Sequence, residues 1–184
     1  MSTKKEFWDF DENINYVTIR IGNNKYKVIN KYNNYYYAAL KLNYIHYIIT
    51  LISYYLRIHY NEYSASDKKY IKCFNDIHPN NYFLSEMQLN TEFEGINKPR
   101  NLYKSKTKIG KDGLLRAGYR HIFITIRDSN KNFNDINVIM KLVLHELAHT
   151  MCNHVTWRDD DHNSDFIHCE KILINAYNNI IQHL

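Results

Sequence analysis

The residues with the most chemistry to offer stand together late in the chain, as His145-Glu146-Leu147-Ala148-His149. On a helix, residues four apart lie one turn above each other on the same face. Both imidazoles can therefore address one ion, with Glu146 beside it. Imidazole suits Zn2+ at about 2.0–2.1 Å, and three protein ligands leave a position open for water. The cation brings the pKa of such a water down towards about 7. Glu146 is then the candidate general base, accepting the proton as the oxygen attacks a carbonyl. The surroundings add weight to a pattern that is short by itself. Val143, Leu144, Leu147 and Ala148 make the segment apolar, and two imidazoles and a carboxylate buried there without a partner would be costly. A bound metal removes that cost.

A third ligand must come from outside this turn. His162, at the start of the next predicted helix, leads; Glu170 and His154 are the alternatives. The expected set is one Zn2+ held by His145, His149 and His162, with Glu146 catalytic. Asp159, Asp160 and Asp161 precede His162, and one of them could serve as acceptor for a ligand imidazole. Cys152 and Cys169 read as small packing residues rather than ligands. His168 reads as outward-facing.

These side chains need elements to position them. Asn132 to Asp135 offers caps for a helix with Ile136, Ile139, Val143, Leu147 and Met151 on one face, and Val138 and Leu142 on a second. The pattern predicts that this helix is largely enclosed. The last helix starts near His162–Ser164 and buries Phe166, Leu173, Tyr177 and Ile180. Ile122, Ile124 and Ile126 alternate as a strand. Upstream, Val17, Ile19 and Ile21, the turn residues Gly22-Asn23-Asn24, then Tyr26 and Val28 predict a hairpin. A long helix over 34–60 follows, with Ala38, Leu42, Ile45, Ile49, Ile52 and Leu56 as its seam. Its mostly apolar circumference predicts a buried helix crossing the centre of the domain. His46, Thr50, Ser53 and Arg57 form a narrow polar stripe, and His46 and His59 read as surface residues. A shorter helix after Ser66 runs through Tyr70, Ile71 and Phe74. From Pro79 to Gly118 the glycines and prolines predict loops and brief strands. The expected class is α+β, with a small, mostly antiparallel sheet packed against the long helix, the His145–His149 helix and the C-terminal helix. Residues 1–12 read as a flexible start, and 13–184 as a single domain.

Composition excludes several alternatives. With 184 residues, 45% hydrophobic and 23% charged, the chain is neither disordered nor collagen-like. Seventeen Tyr among abundant Asn, Ile and Lys point to A+T-rich codons. Three Cys without a CxxC argue for a reducing, intracellular setting and against a cysteine zinc ribbon. The N-terminus has no apolar signal region. Lys41, Asn43, His46 and Arg57 interrupt the most apolar stretch, so no membrane span is expected. The net charge of +5 hides an asymmetry: 98–127 carries nine Lys/Arg and one acid, or +8, and the remainder −3. Such a segment suits an anionic partner, with nucleic acid the first guess, or else is a solvated lysine-rich loop.

The run HELAHTMCNHVTWRDDDHNSDF resembles the zinc-site segment of the WLM and SprT-like (Spartan-type) metallopeptidases. In that family H-E-x-x-H is followed by an insertion, then a third His with Phe four positions on, as in His162 and Phe166. The strand His121–Asp128 leading into the motif helix is also similar to the WLM arrangement. Twelve residues separate His149 from His162, nearer to SprT-like spacing, and no CxxC ribbon is present. The likeness covers about 119–175. It implies a zincin-like fold and an intracellular zinc endopeptidase, acting on proteins bound or crosslinked to DNA. In zinc peptidases of this type the substrate pairs with an edge strand beside the cleft. Here the 119–127 strand is the expected edge, with Arg120, His121 and Arg127 as its polar face or flanks. Two other readings stand beside this one. The first is a non-catalytic, zinc-stabilised nucleic-acid-binding or structural protein; the second is a zinc hydrolase of a non-peptide amide.

Overall fold

A computed structural model describes residues 15–88, 95–99, 108–109, 115–116, 120–152 and 162–184. The 1–12 segment, His154 and Asp159 to Asp161 lie outside the described residues. The expected hairpin forms from β1 (Tyr16–Ile21) and β2 (Asn24–Ile29), with Val17 opposite Val28 and Ile19 opposite Tyr26. Gly22, at φ 57°, supplies the positive angle that the first position of the two-residue turn requires.

Helix α1 (Tyr35–Ile58) follows, and every residue of its predicted seam is buried. The helix is not enclosed all round, however. It lies over β1, β2 and β3 on one side of the sheet and leaves a tyrosine-rich face in solvent. Its polar stripe also departs from expectation, because other elements come to meet it. His46 is buried: Nε2 donates to the Pro79 carbonyl at 2.9 Å, and Nδ1 faces the Tyr26 hydroxyl at 3.3 Å. Burial holds its pKa below the ordinary histidine value. Ser53, also buried, donates to Asn75 Oδ1 at 3.0 Å. A stripe of hydrogen-bonding side chains here joins two helices rather than facing water.

Helix α2 (Ala65–Asn75) starts at Ser64, whose hydroxyl accepts from the Asp67 amide. A 3-10 turn, Pro79–Asn81, leads into β3 (Tyr82–Glu86), then β4 (Gly95–Pro99). The short pair β5 (Lys108–Ile109) and β6 (Leu115–Arg116) precedes β7 (Arg120–Ile124). Helices α3 (Ile136–Met151) and α4 (Ser164–Ile181) complete the described fold. No described helix is long and apolar enough to cross a membrane.

The class is α+β, but the five-stranded sheet, in order β1-β2-β3-β7-β4, is mixed rather than mostly antiparallel. The outer junctions, β1/β2 and β7/β4, are antiparallel; the inner ones, β2/β3 and β3/β7, are parallel. Parallel neighbours need a long crossover, and α1 with α2 supplies it between β2 and β3. One sheet face contributes Tyr26, Val28, Leu84, Ile122 and Ile124 to the core. Helix α3 lies against β7 and β4, and α4 packs on both α1 and α3. Val138, expected on an enclosed face, is exposed.

Candidate metal centre

The site is built where α3 and α4 meet. Asp135 caps α3, its side chain accepting from the Asn137 amide at 2.8 Å. The apolar face of α3 (Ile139, Val143, Leu147, Met151) is buried and fixes the rotation of the helix. That rotation brings His145 and His149 to one side, one turn apart. On α4 the cap is Asn163, which accepts from the Phe166 amide at 3.1 Å and sets His162 just ahead of the first turn. Phe166 is buried beneath all three imidazoles, with ring centroids 4.8 Å from His145, 4.6 Å from His149 and 4.6 Å from His162. An apolar ring in that place limits the rotamers available to each ligand.

The three imidazoles each offer a nitrogen, all within 4.8 Å of one another, so they could hold a metal ion. His145 Nε2 and His162 Nε2 are 3.1 Å apart. Two nitrogens bound to one tetrahedral ion at 2.0–2.1 Å would be about 3.3 Å apart. The expected third ligand, His162, is thus brought to the other two. Glu170 is not in this set. It reaches His145 from the other side, with Nδ1 3.2 Å from Glu170 Oε1. The sequence offered Glu170 as an alternative ligand; in the fold it is the acceptor that fixes the His145 tautomer, leaving Nε2 for a cation. Burial lowers the His145 pKa, an effect that Glu170 opposes. The neutral form favoured by burial is the one that binds metal.

Glu146 is buried behind the triad, and burial raises its carboxyl to about 8. Directly over it runs β4. A Cβ built on Gly95 would lie 2.6 Å from Glu146 Oε1 and 2.9 Å from Leu142 Cδ1, so the backbone approaches as closely as it does only because residue 95 has no side chain. Sequence reasoning missed this glycine, which it placed among loop residues. The contact is between segments fifty residues apart and leaves no local pattern.

The edge-strand expectation is corrected. β7 lies between β3 and β4, and β4 is the edge of the described sheet beside the site. Accordingly Arg120, His121 and Arg127 are all buried. His121 pairs with Ser85 Oγ at 2.8 Å. Arg127 joins three segments: Nε donates to Glu86 Oε1 at 2.7 Å, and its two terminal nitrogens donate to the carbonyls of Lys131 and Asn33 at 3.1 and 3.3 Å. Cys169 is buried as expected, while Cys152 donates to the Asp165 carbonyl at 3.2 Å and ties the end of α3 to α4. His168 faces outward and pairs with Asp67 on α2 at 2.6 Å.

No family model, curated protein or solved structure matches the chain.

Proposed function

We propose that this chain is a zinc-dependent endopeptidase with a zincin-like, WLM or SprT-like catalytic domain. One observation carries the reading: the three imidazole nitrogens cluster within 4.8 Å, and Glu146, next to His145 on α3, is a buried carboxylate lying against Gly95 of the edge strand of the described sheet. A bound Zn2+ would supply Lewis acidity to the scissile carbonyl and acidify a water. The chain's own residues do the rest. Glu146 takes the proton from the water and returns it to the leaving amine, tasks helped by a pKa held near the working pH. His145 is oriented by Glu170, and all three rings by Phe166. β4 pairs with β7 along one edge, and its other edge can take an extended peptide as a further strand.

A DNA-directed role would use the basic 98–127 segment. Of its nine cations Arg120 and Arg127 are buried, so phosphate contacts would have to come from the others. DNA-bound or crosslinked protein is accordingly the first substrate class to try.

The test is a cleavage assay with metal analysis, on unfolded and DNA-bound protein substrates. Glu146→Gln is expected to keep its zinc and lose activity by about 10²-fold or more. His162→Ala is expected to lose zinc. Undiminished cleavage by Glu146→Gln rejects the base, and full zinc occupancy in His162→Ala rejects the ligand set. A non-catalytic zinc protein would bind metal normally and cleave nothing in its natural form.

A further inference from the structure

Helix α1 has a second organised face, independent of the metal chemistry. Its outward side is set by Tyr36, Leu40, Tyr44, Tyr47, Leu51, Tyr54 and Ile58, at spacings of 4, 4, 3, 4, 3 and 4. The solvent face of a helix ordinarily carries charge; none of these seven positions does. Tyr36, Tyr44, Tyr47 and Tyr54 are 57, 44, 51 and 65% exposed, and Ile58 66%, while Leu51 is half-buried at the floor of the stripe. At about 200 Å2 for an aromatic side chain, this stripe leaves on the order of 600 Å2 of mostly apolar surface in water. That is the upper end of what a monomer usually exposes in one patch.

We propose that this stripe is the seam of a two-fold homodimer, in which α1 lies antiparallel against α1 of a second copy. Its steps average about 3.7 residues, close to the 3.6 of a straight helix, so the stripe stays on one side of α1 from end to end. The stripe is also self-complementary when reversed about Tyr47. Tyr36 then meets Ile58 and Leu40 meets Tyr54, Tyr44 falls one residue from the position opposite Leu51, and Tyr47 meets its own copy on the two-fold axis. Each off-axis ring lies against a branched aliphatic, the alternation of large and small that lets facing layers interlock. A two-fold interface requires such self-matching, whereas an unrelated partner has no use for it. The absence of charge disfavours nucleic acid or a strongly charged protein on this face. Two copies together would bury about 1,200 Å2, the lower bound for a specific interface. None of the triad residues lies on the stripe.

Sedimentation equilibrium of the full chain at about 100 µM, above a micromolar Kd, is expected to give twice the 22.2 kDa chain mass. Tyr47→Arg sets two cations against each other on the axis and is expected to weaken association about 30-fold or more. Circular dichroism should show its helix content unchanged. Cysteine crosslinking reads the direction of the helices. Tyr47→Cys should form a reducible dimer with itself under mild oxidation. Tyr36→Cys should crosslink to Ile58→Cys and not to itself, because its own copy lies about 33 Å away along the helix. A monomeric mass, an unweakened Tyr47→Arg dimer, or self-crosslinking of Tyr36→Cys would overturn the proposal.

Discussion

Among the described residues two carboxylates are buried, Glu86 and Glu146, and their surroundings differ in kind. Glu86 closes β3 with both oxygens answered, by Arg127 Nε at 2.7 Å and by the Ile29 amide at 2.8 Å. Burial raises its pKa and these partners lower it, leaving it raised on balance. Burial raises Glu146 to about 8, and it follows His145 directly on α3. The first carboxylate is a joint, holding the ends of β2, β3 and the segment after β7. The second is buried on the metal-site helix, next in the chain to His145, with its pKa raised by burial. Burial is thus common to both acids; the groups around them differ.

That contrast can be broken most directly from the Glu86 side. Arg127→Ala strands a buried carboxylate, and urea unfolding is expected to register a loss of about 3–5 kcal/mol. Zinc content and cleavage per folded molecule should stay as they were. Loss of metal binding in the folded variant would show that the two regions are one, and the contrast would fail.

The Glu146 side can be sharpened by pH, in protein stripped of metal by a chelator. A carboxyl whose folded pKa lies above its unfolded value, 4.5 against about 8, keeps its proton longer in the folded state. Its contribution to stability therefore falls as pH rises through that window. Gln does not titrate, so the stability of Glu146→Gln relative to the natural chain should increase from pH 5 to pH 8, by at most about 3.5 kcal/mol. The opposing term from His145 is common to both proteins and cancels. Denaturant melts at the two pH values measure the gap, and an unchanged gap would mean that the folded carboxyl titrates normally.

Much of this arrangement was legible before any coordinates, for reasons visible in particular residues. The α1 seam and the His145/His149 pair depend on a period of 3.6, which a helix keeps regardless of its neighbours. Asp135 and Asn163 cap helices through their own local chemistry. What the residues did not reveal depends on segments far apart. The alternation of Ile122 and Ile124 is the same for an edge strand as for one between neighbours; pairing with β4 on one side and β3 on the other decides it. β4 itself, Gly95 to Pro99, lacks any alternating pattern. His46 reads as a surface residue of its helix, because nothing nearby in sequence announces that the Pro79 carbonyl covers it. The antiparallel bias expected of the sheet failed for the same reason, since the crossover through α1 and α2 sets the direction of β3.

Glu170 is the alternative ligand that the sequence keeps open beside His162, and it gives the smallest of the expected effects. Counted along α4 from His162, it lies two turns on, beyond Phe166, so its presence near the triad was expected. Whether it binds the ion or an imidazole turns on a single rotation of His145. With Glu170 Oε1 at 3.2 Å from His145 Nδ1, removal of the acceptor frees the ring without removing a ligand. Glu170→Ala should then weaken zinc binding about 10–100-fold, measured by competition with a chromophoric chelator. Glu170→Gln keeps an oxygen acceptor in that position and should recover most of the loss. A ligand carboxylate would behave otherwise: its amide binds zinc poorly, so Gln would be nearly as damaging as Ala. The difference between the two variants thus separates an orienting carboxylate from a coordinating one.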